Sequence, residues 1–159
     1  MTHAFRPAVA ADVHRLAAID AGVNISPWSE AQFSAACKPG EGNPSWALVA
    51  EEGSLIVGFV VVSQVLDEAS LLSIAVDPAY QQRGLGRALL LAALERAERE
   101  GAGRCLLEVR ESNTAARVLY TANGFSLDAV RKNYYPHGDK REDALLMSKP
   151  LKGTANECA

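Results

Sequence analysis

A chain of 159 residues with 48% hydrophobic and 22% charged residues has the balance of an ordinary water-soluble globule long enough to bury a sizeable core. A formal charge of -3 excludes a general basic field for nucleic acid, so any anion site has to be local. No apolar run approaches the ~18 residues of a membrane span, MTHAFRP has no apolar segment of a secretory leader, and the three cysteines (Cys37, Cys105, Cys158) form no C-x-x-C pattern. A reduced cytoplasmic protein is the expectation.

In chain order, residues 4–7 read as an extended lead-in. In residues 10–23, Val13, Leu16, Ala17 and Ile19 recur at amphipathic-helix spacing. SPWSEAQF turns at Pro27 and starts a second helix capped by Ser29. KPGEGNP (38–44) is a loop. SWALVAE (45–51) and LIVGFVVVSQ (55–64) form a hairpin about Gly53, and LLSIAV (71–76) is a third strand closed by Asp77-Pro78. A helix follows from Gly84 to Glu100, with Glu95 placed to pair with Arg99 at i,i+4. RCLLEVR (104–110) is a strand, and a helix capped by Ser112 or Asn113 runs through Ala122. Residues 125–135 and 143–149 close the chain as two strands, before a small polar tail expected to fray. The fold class is α/β, of mixed α+β type. Segments 71–76, 84–100 and 104–110 make one right-handed parallel β-α-β unit, and the remaining pairings are antiparallel.

The stretch QQRGLGRALL (81–90) carries the first chemical signal. Glycine costs a helix about 1 kcal/mol relative to alanine, yet Gly84 and Gly86 stand at a helix start, with Arg83 and Arg87 beside them. An anion approaching bare N–H groups at a helix N-terminus accounts for that choice. A Walker A loop is excluded because no Gly-Lys-Ser/Thr occurs. A dinucleotide fingerprint fails because Leu89 stands at the third glycine position and the chain is too short for two dinucleotide-binding halves.

IAVDPAYQQRGLGRALL (74–90) resembles the acetyl-CoA-binding motif of the GNAT acetyltransferases. PWSEAQF (27–33), LDEASLLSIAVDP (66–78), LEVRESNTAARVLYTANGF (107–125) and RKNYYPHGDKREDALLM (131–147) extend the likeness over residues 5–151, toward the branch that acetylates the N-terminal alanine of a small-subunit ribosomal protein. The resemblance implies one GNAT domain over 1–151 with a flexible tail at 152–159. Its twisted, mostly antiparallel sheet would have six to seven strands, a central parallel pair and about four flanking helices. It implies acetyl-CoA as co-substrate without a metal, direct attack in a ternary complex, and a monomer with no direct nucleic-acid or membrane partner. A lysine or small-amine acceptor is the alternative within acyl transfer; a non-catalytic CoA-binding sensor is the alternative outside it.

Residue by residue, the resemblance implies that Gln82, Arg83, Gly84, Leu85, Gly86 and Arg87 hold the pyrophosphate. Both glycines would let the phosphates approach. Ile74, Ala75 and Val76 would lie on a strand that splays from its neighbour and offer backbone groups to the pantetheine, and Asn113 would bond the cofactor besides capping its helix. Glu108 takes the place of the general base and Tyr120 that of the general acid. Read from the residues alone, Glu108 is equally an exposed strand-end glutamate paired with Arg110, and Tyr120 equally a core aromatic. The apolar surroundings of Glu108 in CLLEV suggest partial desolvation, which favours a base. Tyr134 and Tyr135 would grip the backbone of the acceptor peptide, with Trp28 and Glu30 as the opposite wall and Glu30 drawing a basic second residue. Cys105 has no activating partner, which argues against a covalent cysteine intermediate. His137 reads as a loop residue.

Overall fold

The computed structural model describes residues 3–38, 40 and 42–151. The expected frayed tail lies outside these residues, as do Pro39 and Glu41 of the expected loop. The elements run β1 (Ala4–Pro7), a 3-10 turn (Ala10–Asp12), α1 (Val13–Ala21), α2 (Glu30–Cys37), β2 (Ser45–Glu52), β3 (Leu55–Val65) and β4 (Glu68–Val76). A second 3-10 turn (Pro78–Tyr80) leads to α3 (Leu85–Arg99), β5 (Arg104–Arg110), α4 (Thr114–Ala122), β6 (Ser126–His137) and β7 (Lys140–Pro150). The seven strands form one sheet in the order β1-β2-β3-β4-β5-β7-β6. Among the described residues only β4 and β5 are parallel, and the other five pairings are antiparallel.

Local chemistry accounts for most boundaries. Ser29 caps α2 by accepting from the Gln32 N–H, while the Gln32 side chain accepts from the Ser29 N–H. Asn113 Oδ1 caps α4 through the Ala116 N–H. Arg99 and Glu95 pair on α3 at 2.9 Å, as their spacing predicts. The amphipathic stretch 10–23 is shorter as a helix than the apolar spacing suggests. Asp12 accepts from Val9 N and from Arg6, which holds the first turn as a tighter 3-10 element. The lead-in at 4–7 is an edge strand paired with β2.

Alternation along the strands builds two apolar layers. On one face, Val57, Val60, Val62, Leu71, Val76, Cys105, Leu107 and Val109 pack against Leu85, Leu89, Leu90, Ala93 and Leu94 of α3 and Tyr120 of α4. On the other, Val49, Phe59, Val61 and Ala75 pack against Leu16 and Ile19 of α1 and Phe33 of α2. At about 25 cal/mol per Å2, each fully buried aliphatic or aromatic side chain of these layers adds about 1.5–3 kcal/mol of transfer free energy.

Two irregularities open the middle of the sheet. Consecutive residues Val61 and Val62 of β3 face Ser73 and Leu71 of β4, so Leu72 is an extra residue in a β-bulge and is 42% exposed. A bulge bends its strand and raises its twist. The parallel ladder joins Glu68–Leu71 to Arg104–Leu107 and ends there. Thus the segment expected to form the parallel pair, 71–76, is mostly the part that leaves it.

Candidate active site

Beyond Leu71 and Leu107 the two parallel strands part. β4 continues to Val76 with β3 as its partner, and the last residues of β5, Glu108 to Arg110, stay paired with β7. The β5-facing edge of residues 72–76 therefore has no strand partner, and its backbone groups line a cleft through the middle of the sheet. The Val76 carbonyl accepts from Gln81 Nε2 at 3.0 Å. Ile74, Ala75 and Val76 lie on this edge as expected.

The glycine pair stands at the end of that edge. Gly84 is the N-cap residue of α3 with φ +79°, and no side chain caps the helix. The N–H groups of the first turn are thus left to solvent or to a ligand. A Cβ at Gly84 would meet nothing within 4 Å, so the glycine serves its left-handed backbone and leaves the space before the helix open. Gln82 also has positive φ, at 62°. Gly86 differs: its Cβ position lies 3.8 Å from Leu119 and 3.9 Å from Val76, toward β4 and α4. A Cβ at Gly86 would make only ordinary contacts, so the conformational demand for glycine falls on Gly84. Arg83 and Arg87 are exposed, Arg83 lying 5.2 Å from the Tyr80 ring centroid. The turn before the helix is pinned by Asp77, which accepts from Ala79 N at 2.9 Å and from Arg15 Nη2 at 2.6 Å. Those two bonds hold the Asp77 carboxyl below its usual range. An uncapped helix start, an open left-handed glycine and two flanking arginines suit a diphosphate.

Glu108 and Tyr120 belong to opposite layers. Cys105, Leu107 and Val109 point into the core beneath α3, so Leu106, Glu108 and Arg110 point to the face carrying α1 and α2. This corrects the expected desolvation of Glu108: its apolar neighbours in sequence face away, and the side chain is exposed. Nor does Glu108 pair with Arg110. Its Oε1 accepts a hydrogen bond from the Tyr135 hydroxyl, and Arg110 pairs with Glu142.

Tyr120 is 6% exposed, with its ring 5.7 Å from that of Phe125. Burial, and then nearby Cys105, pushes its phenol well above the ordinary tyrosine range, so it keeps its proton at neutral pH. Tyr120 is thus a core aromatic, and its retained proton keeps it a candidate donor. Cys105 is buried with its thiol pushed up to about 11 by desolvation, which makes it a poor nucleophile.

The two tyrosines owe their placement to a second bulge. Arg131 faces Ala144 and Tyr135 faces Glu142, so Lys132, Asn133 and Tyr134 oppose Asp143 alone. Asn133 adopts φ 52° and donates its N–H to Asp143 Oδ1 at 2.9 Å. Tyr134 is 43% exposed and meets Tyr135 edge-on at 5.1 Å. Burial, then the bond to Glu108, raises the Tyr135 phenol above its usual range. Trp28 donates its backbone N–H to Asp20 Oδ2 at 2.8 Å, and its ring meets that of Phe33 at 5.2 Å between centroids. Glu30, the first residue of α2, meets His14 at 3.0 Å.

Sequence reasoning missed Arg110, Glu142, Ser26 and Asp20 as parts of the site. Arg110 was visible as the residue two beyond Glu108 on the same face of a strand; the others come from distant segments. His137 is the last residue of β6 rather than a loop residue, bonded to Glu142 at 2.8 Å. Among the described residues, no group of three or more His, Cys, Asp or Glu could hold a metal ion, and no helix is long and apolar enough to cross a membrane.

A mixed sheet whose parallel pair parts beside an uncapped, glycine-led helix is the architecture shared with solved acetyltransferases. The chain belongs to the acetyltransferase (GNAT) family, whose profile matches residues 12–125. It is 43% identical over 133 residues to the [ribosomal protein bS18]-alanine N-acetyltransferase of Escherichia coli (strain K12), covering 84% of this chain and 87% of that one. The protein of the same name from Haemophilus influenzae is 39% identical over 140 residues, covering 87% and 92%. The crystal structure of the ribosomal-protein-S18-alanine N-acetyltransferase from Escherichia coli superposes with TM-score 0.86 at 37% identity, covering 94% of each chain. A phosphinothricin acetyltransferase from Sinorhizobium meliloti in complex with AcCoA matches with TM-score 0.79 at 27% identity, covering 98% of this chain and 92% of that one. The protein is an N-acetyltransferase, and use of acetyl-CoA follows from its family.

Proposed function

We propose that this enzyme acetylates the α-amine of the N-terminal alanine of ribosomal protein bS18 in the cytoplasm, by direct attack in a ternary complex. One observation carries the reading. Glu108 stands where the parallel strands part, bonded to Tyr135 on its own face, while a protonated Tyr120 lies in the opposite layer. The similarity to proteins bearing that name, over more than four fifths of the chain, supports the acceptor.

Acetyl-CoA, when bound, supplies the acetyl group as a thioester. Gly84 and the first turn of α3, with Gln82, Arg83, Leu85, Gly86 and Arg87, would hold its diphosphate, and Asn113 would add a polar contact. The open edge at Ile74, Ala75 and Val76 would offer backbone donors to the pantetheine and to the carbonyl oxygen on which charge develops. An α-ammonium has a pKa of about 7.7–8.0, so a modest base suffices to free it. Glu108 takes that proton, directly or through water. Its Oε1 is already engaged by Tyr135, which leaves Oε2 for the acceptor. With acetyl-CoA bound, the Tyr120 hydroxyl would give its proton to the departing sulfur as the amine takes its place on the acetyl carbon. Tyr134, Tyr135 and Trp28 would hold the peptide backbone, and Glu30 would attract a basic second residue.

The test is mass spectrometry after incubation with acetyl-CoA and two peptides. One has a free N-terminal alanine, a basic second residue and no lysine; the other has a blocked N-terminus and one lysine. Acetylation of the first alone is expected, with kcat falling about 10²–10⁴-fold in Glu108→Gln and in Tyr120→Phe. Modification of the lysine peptide alone would refute the acceptor assignment.

A further inference from the structure

Arg110 is nearly enclosed, its side chain 13% exposed, and its guanidinium is gripped from three segments. Nη1 donates to Glu142 Oε2 on β7 at 3.1 Å and to the Pro136 carbonyl on β6 at 2.8 Å. Nη2 donates to Ser26 Oγ in the connection between α1 and α2 at 2.9 Å. The carbon of the guanidinium lies 4.3 Å from the centroid of the Tyr135 ring, so the cation rests on that ring. At its far edge, the same ring places its hydroxyl on Glu108 Oε1.

Glu142 is fixed in turn. It accepts from Ser112 N at 2.9 Å, from Ser112 Oγ at 3.1 Å and from His137 Nδ1 at 2.8 Å, besides Arg110. Arg110 is therefore neutralised by a carboxylate that has no freedom to leave it. A free cation there would repel an acceptor that arrives as an ammonium ion. The planar fork of arginine suits three simultaneous acceptors and a ring face; a lysine ammonium offers a point charge without that geometry.

We propose that Arg110, locked by Glu142, is a positioning residue for acetyl transfer. By packing on Tyr135 it keeps the phenol on Glu108 Oε1, so that the carboxylate presents Oε2 to the acceptor amine. By holding Ser26 it ties the connection that carries Trp28 to the strand that carries the base. Arg110 touches neither substrate; it acts through Tyr135 and through Ser26. The role rests on the reading of Glu108 as the base.

A double-mutant cycle on kcat/KM for the alanine peptide tests this, with Arg110→Lys and Arg110→Met each made alone and with Tyr135→Phe. Lysine keeps the charge beside Glu142, so that variant folds even where the methionine variant is weakened. Each single change is expected to lower kcat/KM about tenfold or more, with KM for acetyl-CoA within about twofold of wild type. In the Tyr135→Phe background, either Arg110 change is expected to cost no more than the roughly threefold that loss of the Ser26 contact brings, because the phenol through which Arg110 otherwise acts is gone. Ser26→Ala is expected to raise KM for the peptide about threefold at unchanged kcat. Effects of Arg110 and Tyr135 that multiply, while Glu108→Gln is inactive, would overturn the positioning role alone. A Glu108→Gln enzyme with wild-type kcat would instead remove the base on which the proposal stands.

Discussion

Gly58 lies in the middle of β3, directly opposite Val76, where the open edge of β4 ends. A Cβ built there would sit 2.9 Å from Leu89 Cδ1 of α3 and 3.1 Å from the Ala75 carbonyl oxygen. The leucine methyl can rotate away, but the carbonyl belongs to a strand held in the sheet and has little freedom to yield. Overpacking of this kind costs about 1–3 kcal/mol. Replacing glycine by alanine also narrows the unfolded ensemble, which returns about 0.4–1 kcal/mol, and the φ at Gly58 is not in the left-handed region, so no backbone strain is added. Gly58→Ala should therefore destabilise by about 1–2 kcal/mol, which for a chain of this size lowers Tm by about 2–8 °C. Because the contact is with α3 and with Ala75, the strain falls between the open edge and the helix. KM for acetyl-CoA should rise severalfold while KM for the peptide stays within about twofold. Thermal unfolding followed by circular dichroism, together with steady-state kinetics, measures both. An unchanged Tm, or a rise, would refute the argument that glycine is required here for close helix-on-sheet packing.

Gly84 should behave in the opposite way, because its constraint is conformational and not steric. Gly84→Ala places a Cβ in open space at φ +79°, at a cost of about 1–2 kcal/mol for a left-handed L-residue. KM for acetyl-CoA should rise about fivefold or more, with the core contacts of α3 intact; unchanged KM would separate the glycine from cofactor binding. Glu142 should set part of the acid sensitivity. Its partial burial works against ionisation, but hydrogen bonds from the Ser112 N–H and hydroxyl, Arg110 and His137 outweigh it and pull the carboxyl down to about 2 from an ordinary 4.5. A folded value below the unfolded one means that stability is present above about pH 4.5 and is lost as the pH falls toward about 2. In melts at stepped pH, Glu142→Gln should have the lower Tm at pH 7 but a shallower decline through that window; equal slopes would refute the assignment.

The sequence by itself determined the elements and their order, because those depend on neighbours in the chain. The 3.6-residue stripe of α3, the caps at Ser29 and Asn113, and the strand RCLLEVR were legible for that reason, and the last matches β5 residue for residue. The glycine pair was legible because a helix start unsupported by a side chain is a local oddity with a local reason. That the family shares these motifs made Glu108 and Tyr120 candidates. Tertiary structure decided everything that depends on pairing. The parting of β4 from β5 comes from a ladder that ends at Leu71 and a bulge at Leu72, and neither leaves a mark on hydrophobic periodicity. The exposure of Glu108 came from which way the alternation of β5 faces, which only packing against α3 fixes. Glu108 is bonded to a residue 27 positions away, and Arg110 to one 84 positions away, so no local pattern could join them. Contacts at such separations exist only once the sheet has formed, which is why the candidate groups could be named from the chain but their supports could not.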